Sequence, residues 1–203
     1  MPRTIAIVAF DGAEELDFVG PWEVFSMAAA IIPDSCTVHR VAERGGEVRC
    51  AKGLRVVAGH SFETAPTPDI VVVPGGQGTR VESANPAMLA FLTKAAKSAE
   101  LVTSVCTGSF VLERAGLLTG KRATTHWASL DRLRALGTVN VVVERWLDEG
   151  EVITSSGVSS GIDMALYITG RLWGAGNARL VQKAMEYFPD PPYQDTPIPE
   201  WPR

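Results

Sequence analysis

Short, nearly continuous apolar runs alternate along this chain with longer stretches in which apolar residues recur every three or four positions. Runs of the first kind fit strands buried on both faces of a sheet, and stretches of the second kind fit helices lying with one face on it. Their alternation predicts βαβ units around a parallel sheet. TIAIVAF (residues 4–10) is the first predicted strand and residues 14–30 the first helix, with Pro21 inside its pattern. CTVHRVA (36–42) is the second strand. GGEVRCAKGLRVVAGHSF (45–62) alternates in polarity and is rich in glycine, which predicts a hairpin rather than another crossover. DIVVVP (69–74) reads as a fully buried strand ending in Gly75-Gly76, and residues 85–98 as a helix capped by Asn85 with Pro86 in its first turn. LVTSV (101–105) is the next strand, followed by a helix over 107–115 that Gly116 closes. RATTHW (122–127) and VNVVVERWL (139–147) are further strand candidates, with a short helix over 128–136 between them. EVITSSG (151–157) is the last apolar run, and helices are predicted over 161–173 and 177–187. Residues 1–188 are expected to form one α/β domain. Residues 189–203 hold six of the thirteen prolines and are expected as an extended tail, packed through Tyr193, Ile198 and Trp201 on the body or on a partner subunit.

A chain of 203 residues, 46% hydrophobic and 21% charged, is long enough to bury one sizeable core. A formal net charge of -4 provides no basic footprint for nucleic acid or an anionic membrane, which leaves small molecules or proteins as the expected partners. Acidic residues from Asp11 to Asp17 break the N-terminal apolar run, unlike a secretory signal, and no window approaches the roughly 18 apolar residues of a membrane span. A cytoplasmic location is expected. Cys36, Cys50 and Cys106 are too few and too irregularly spaced for a disulfide framework or a zinc site, so reduced thiols and no bound metal are expected.

Ligands of open parallel sheets bind beyond the carboxyl ends of the strands, and three segments there carry candidate chemistry. They are DGAEELD after the first strand, GGQG after residues 69–74, and Cys106-Thr107-Gly108 after residues 101–105. Cys106 stands where a buried strand must turn sharply into a helix. It either fills the core as a small hydrophobe or sits exposed on a strained elbow, where the helix N-terminus favours a nucleophilic thiolate. In the second case the Thr107 N–H is placed to stabilise a developing anion, and Gly76 offers a second donor, although a Gly-Gly pair alone also makes an ordinary tight turn. Asp17, between Leu16 and Phe18, is either a first-turn helix acid or a carboxyl whose apolar surroundings let it carry a proton at neutral pH. Glu14 and Glu15 read as solvated. His126 is the rival base, or else a packed structural histidine, while His39 and His60 fall in segments remote from Cys106. Cys36 and Cys50 read as buried structural thiols. GGQG is not followed by the Lys and Ser or Thr of a phosphate-binding loop.

The segments VAFDGAEELDFVGPWEVF, DIVVVPGGQG, LVTSVCTGSFVLERAGLLTGKRATTHWASLDRL and SSGVSSGIDMALYI, in this order and spacing, resemble the ThiJ/PfpI superfamily, relatives of the class I glutamine amidotransferases. Within it the chain is most similar to the isocyanide hydratases, over nearly its whole length. The resemblance implies a flavodoxin-like three-layer α/β sandwich with a mostly parallel sheet, a homodimer, and no metal or organic cofactor. It places the nucleophile at Cys106, the acid that hydrogen-bonds it at Asp17, the threonine important in the hydratases at Thr107 and the oxyanion-hole glycine at Gly76. Gly75 and His126 complete the candidate substrate-contacting set. Glyoxalase-like and deglycase members carry glutamate where Asp17 stands, and PfpI-type proteases carry histidine where Thr107 stands. The implied reaction adds water to an isocyanide, a small-molecule electrophile, to give an N-substituted formamide through a thioimidate on Cys106. Three other readings stay open: glyoxalase or deglycase chemistry on reactive aldehydes, a stand-alone ligand sensor related to AraC-type regulators, and a redox sensor with Cys106 oxidised to a sulfinic acid beside Asp17. No basic DNA-binding region follows in this sequence, which weighs against a regulator of transcription.

Overall fold

The apolar runs that lack a polar face become inner strands of one sheet, because only a strand covered on both sides buries every side chain. The computed structural model describes residues 1–192. In chain order its elements are β1 (Arg3–Val8), α1 (Glu15–Ile31), β2 (Cys36–Ala42), β3 (Gly46–Arg49), β4 (Arg55–Ala58), β5 (His60–Ser61), β6 (Ile70–Val73), α2 (Thr79–Glu82), α3 (Pro86–Ala95), β7 (Leu101–Val105), α4 (Gly108–Arg114), β8 (Arg122–Ala123), α5 (Leu130–Arg134), β9 (Asn140–Val141), β10 (Trp146–Asp148), β11 (Val152–Ser155), α6 (Ser160–Trp173) and α7 (Ala175–Ala184), with a 3₁₀ turn at Trp127–Ser129. The central sheet runs β10-β11-β7-β6-β1-β2-β5 and is parallel except at its β10 edge. Every residue of β6, β7 and β11 is buried.

The step from β1 to β2 goes one way across the sheet, and the steps from β6 to β7 and β11 go the other. Right-handed crossovers therefore put α1 on one face and α3, α4 and α5 on the opposite face. Helices α6 and α7 return to the first face, where they pack on α1 and on each other. The result is the flavodoxin-like three-layer sandwich. Its order reverses between β1 and β6, so a crevice opens there beyond the carboxyl ends of the strands. Helix α1 continues through buried Pro21, and a Cβ at Gly20 would lie 2.8 Å from Ile162 Cγ1, so α6 comes close at this point. Helix α3 begins as expected, with the Asn85 side chain accepting from the Ala87 N–H at 3.0 Å.

The predicted hairpin is β3 with β4, in register from Gly46 opposite Ala58 to Arg49 opposite Arg55. It folds over the β1–α1 loop, where Gly12 N–H donates to the Arg49 carbonyl at 2.9 Å and Ala51 N–H to the Ala13 carbonyl at 2.8 Å. Four segments differ from expectation. Residues 139–147 divide into β9, which pairs with β8 in a separate two-stranded sheet, and β10, which joins β11. Only two residues of RATTHW pair as a strand, and beyond them the Thr124 N–H donates to the Thr154 hydroxyl at 3.0 Å rather than to a strand partner. Elements α2 and β5, at four and two residues, were not expected, being too short to show a period. Of the tail, Tyr193, Ile198 and Trp201 lie outside the described residues. Among those described, no helix is long and apolar enough to cross a membrane.

Candidate active site

The turn from β7 into α4 is sharp because Cys106 has φ 56°, in the left-handed region, at a cost on the order of 1–2 kcal/mol for a residue with a side chain. Its N–H donates to the carbonyls of Ser156 at 2.7 Å and Ser155 at 3.1 Å, and its carbonyl accepts from the hydroxyls of Thr125 at 2.9 Å and Ser109 at 3.2 Å. Bonds from three separate segments thus hold the bend.

Asp17, in the first turn of α1, is fully buried. Its Oδ2 accepts from the Gly75 N–H at 2.8 Å, while Oδ1 is buried without a hydrogen-bond partner. A Cβ at Gly75 would lie 2.5 Å from Thr107 N and 2.8 Å from both Asp17 Oδ2 and Cys106 Cβ, so Asp17, Cys106 and Thr107 close around a position that only glycine fits. Burial raises the Asp17 carboxyl to about 7, opposed by the Gly75 N–H and helped by the charge of Glu14. The Cys106 thiol is pushed up to about 12, first by burial and then by the charge of Asp17, while the Thr107 N–H and hydroxyl pull it down. The expectation of a thiolate favoured by the helix N-terminus is corrected on this point: in the resting site burial outweighs the short helix α4. The charge on the carboxyl opposes ionisation of the thiol, so the pair gives up its protons in two separate steps.

Gly76 has φ 112°, and a Cβ there would lie 2.4 Å from Glu14 N and Gly12 O. The loop after β6 can therefore zip onto the loop after β1, with Glu14 N–H donating to the Gly75 carbonyl at 2.9 Å. The Gly76 N–H, expected as an oxyanion donor, donates at 3.0 Å to the Thr107 hydroxyl, which the Thr79 hydroxyl also approaches at 3.2 Å.

Cys106, Thr107, Gly76 and His126 line one cavity of about 440 Å³. His126 Nδ1 accepts from the Ala128 N–H at 3.3 Å, and burial lowers its pKa against the charge of Glu14. The neutral ring then carries its proton on Nε2. Among the described residues no hydrogen bond joins His126 to Cys106 or Asp17. Glu14 and Glu15 are not the solvated acids expected: their side chains are 19% and 17% exposed and both pair with Lys52 on the β3–β4 turn. The overlying hairpin, whose position the sequence pattern does not reveal, is the reason. Arg80 and Arg132 also line the cavity, and sequence reasoning missed them because α2 and α5 are too short to predict which way a side chain faces. Cys36 and Cys50 are buried, and His39 and His60 bond to each other at 3.2 Å across β2 and β5, three or more strands from Cys106. Among the described residues, no cluster of His, Cys, Asp or Glu is placed to hold a metal ion.

The chain matches the DJ-1/PfpI family over residues 3–170. It is 40% identical over 193 residues to an isonitrile hydratase (isonitrile being another word for isocyanide) from Pseudomonas putida, covering 95% of this chain and 82% of that one. It is 30% identical over 129 residues to the glutathione-independent glyoxalase DJR-1.2 from Caenorhabditis elegans, covering 63% and 68%. Among solved structures, a THiJ/PfpI family protein from Pseudomonas syringae is similar with a TM-score of 0.88 and 31% identity, over 97% of this chain and 80% of that one. The matched region runs from β1 into α6 and includes every residue of the site described above, and the chain belongs to the DJ-1/PfpI family.

Proposed function

We propose that the protein hydrates an isocyanide, R–N≡C, to the N-substituted formamide R–NH–CHO, with Cys106 as nucleophile and Asp17 as proton carrier. The observation that carries this reading is the buried Asp17 carboxyl, anchored through Oδ2 to the Gly75 N–H and in hydrogen-bonding contact with the Cys106 side chain. An isocyanide carbon must gain both a nucleophile and a proton, and this pair holds both in one buried place. As the Cys106 sulfur bonds to the carbon, its proton passes to Asp17 and on to that carbon, giving the thioimidate R–N=CH–S–Cys106. Water then attacks the same carbon, giving a proton to Asp17, which passes that proton on to the nitrogen and is left ionised. Collapse of R–NH–CH(OH)–S–Cys106 forms the formyl C=O, breaks the C–S bond, and returns the hydroxyl proton to the sulfur through Asp17. The Thr107 N–H stabilises charge at the sulfur, and a water or substrate atom competes with the Thr107 hydroxyl for the Gly76 N–H.

Similarity to the isonitrile hydratase over nearly the whole chain supports this substrate class. The similarity to a glyoxalase supports a second reading, in which the same thiol adds to a reactive aldehyde. The test is formamide production from cyclohexyl isocyanide by the purified protein and by its Cys106→Ala and Asp17→Asn variants. Cys106→Ala is expected to abolish turnover, and Asp17→Asn to lower it by roughly 10²–10⁴-fold. Turnover that survives Cys106→Ala overturns the mechanism. Inertness toward isocyanides, with activity on methylglyoxal, moves the assignment to the aldehyde reading.

A further inference from the structure

We propose that the R group of the isocyanide carries a carboxylate, bound at the mouth of the Cys106 cavity by the guanidinium groups of Arg80 and Arg132. The inference rests on the hydratase reading and names its substrate class. Arg80 comes from α2 and Arg132 from α5, and both line the cavity that holds Cys106. Among the described residues neither has a carboxylate within ion-pair distance. Arg80 donates to the neutral side-chain oxygen of Gln77, and Arg132 lies over the Phe110 ring, 4.7 Å from its centroid. Arg40, Arg49, Arg114 and Arg179 likewise have no carboxylate at ion-pair distance among the described residues, but of the arginines it is Arg80 and Arg132 that line the Cys106 cavity. Asp131, the acid next to Arg132 in sequence, is taken by Arg134. Glu14 is the acidic residue lining the cavity, and it is paired with Lys52 rather than with either arginine.

Two exposed arginines thus border the cavity, and neither is paired with a carboxylate among the described residues. A guanidinium fork matches a carboxylate in shape as well as charge, and Arg132 also has the Phe110 ring to rest against. A neutral alkyl isocyanide would leave both guanidinium groups to water, whereas a carboxylate could engage them. The negative charge that Asp17 carries in the depths of the site would repel an anionic substrate at the reacting end, so a carboxylate held at the mouth by two arginines also sets the isocyanide carbon to enter first.

The test compares isocyanoacetate and 3-isocyanopropanoate with their methyl esters, which differ chiefly in charge, on the full chain and on Arg80→Gln and Arg132→Gln. The acids are expected to exceed the esters in kcat/KM by about tenfold or more, mainly through KM, and the acid-to-ester ratio to fall toward one in each variant. Arg80→Lys, which keeps the charge and loses the fork, is expected to restore part of the ratio. Acids no better than esters, or a ratio unchanged in both glutamine variants, overturn the proposal. If neither acids nor esters are hydrated, the hydratase reading itself has failed. The arginine site is then judged by calorimetry with N-formylglycine and its methyl ester: preference for the acid that both variants lose sustains it, and equal binding overturns it.

Discussion

A thiol and a carboxyl buried in contact cannot both be charged without large cost, and this conflict gives Cys106 and Asp17 their shared behaviour. Asp17 ionises near 7 in the folded chain against 3.8 without the fold, so the folded state holds its proton more tightly. The stabilisation this gives is fully present below about pH 4, declines as pH rises toward 7, and is absent above it. Asp17→Asn removes the ionisation while keeping an acceptor for the Gly75 N–H. It is therefore expected to stabilise the fold at pH 8 by roughly 1–3 kcal/mol, less so at pH 5, and to be nearly neutral at about pH 4, as denaturant melts across this range will show. The pair that holds one proton between them dominates above about pH 7, so kcat/KM is expected to rise with an apparent pKa near 7 and to plateau beyond it. Stability of Asp17→Asn that tracks the wild type at every pH, or activity that falls through pH 7, contradicts the account. The sequence makes both residues legible as candidates through their types and apolar flanks. It does not give their resting protonation, because burial is set by parts of the chain far away in sequence.

Two helical glycines separate what a close approach requires from what a helix tolerates. Gly108 opens α4, and a Cβ there would lie 2.3 Å from the Val73 carbonyl oxygen and 2.8 Å from that of Pro74, at the end of β6. Gly108→Ala must push α4 away from β6, with an expected loss of about 1–3 kcal/mol and a fall in kcat/KM as the Thr107 N–H moves off the sulfur. Gly176, near the start of α7, has open space around it, so Gly176→Ala is expected to stabilise by about 0.5 kcal/mol with activity unchanged. Thermal melts beside kinetic assays of the two variants check the contrast. At this scale the sequence reads well where an element is long or fully apolar, as β2, β7 and α3 demonstrate. It fails where a run such as VNVVVERWL serves two sheets in turn, since its apolar pattern fits pairing with either partner.

For the molecule as a whole, the site depends on the order of strands rather than on any one of them. The reversal between β1 and β6 puts the Asp17 turn, the Gly75-Gly76 turn and the Cys106 elbow on one rim. The alternation of strands and helices implies a parallel sheet, and the three loops share a rim in any such sheet. The hairpin arm that covers Glu14 and Glu15, and the two arginines at the mouth, come from tertiary packing that periodicity does not encode. The central claim is that hydration passes through a covalent bond from the Cys106 sulfur to the isocyanide carbon. Acid-quenched intact mass spectrometry during turnover of cyclohexyl isocyanide tests it most directly, with peptide mapping to locate any adduct. A chain heavier by one isocyanide is expected, with the adduct on Cys106 and missing from Cys106→Ala, whereas steady formamide production with no adduct on Cys106, undiminished in Cys106→Ala, would contradict a covalent route.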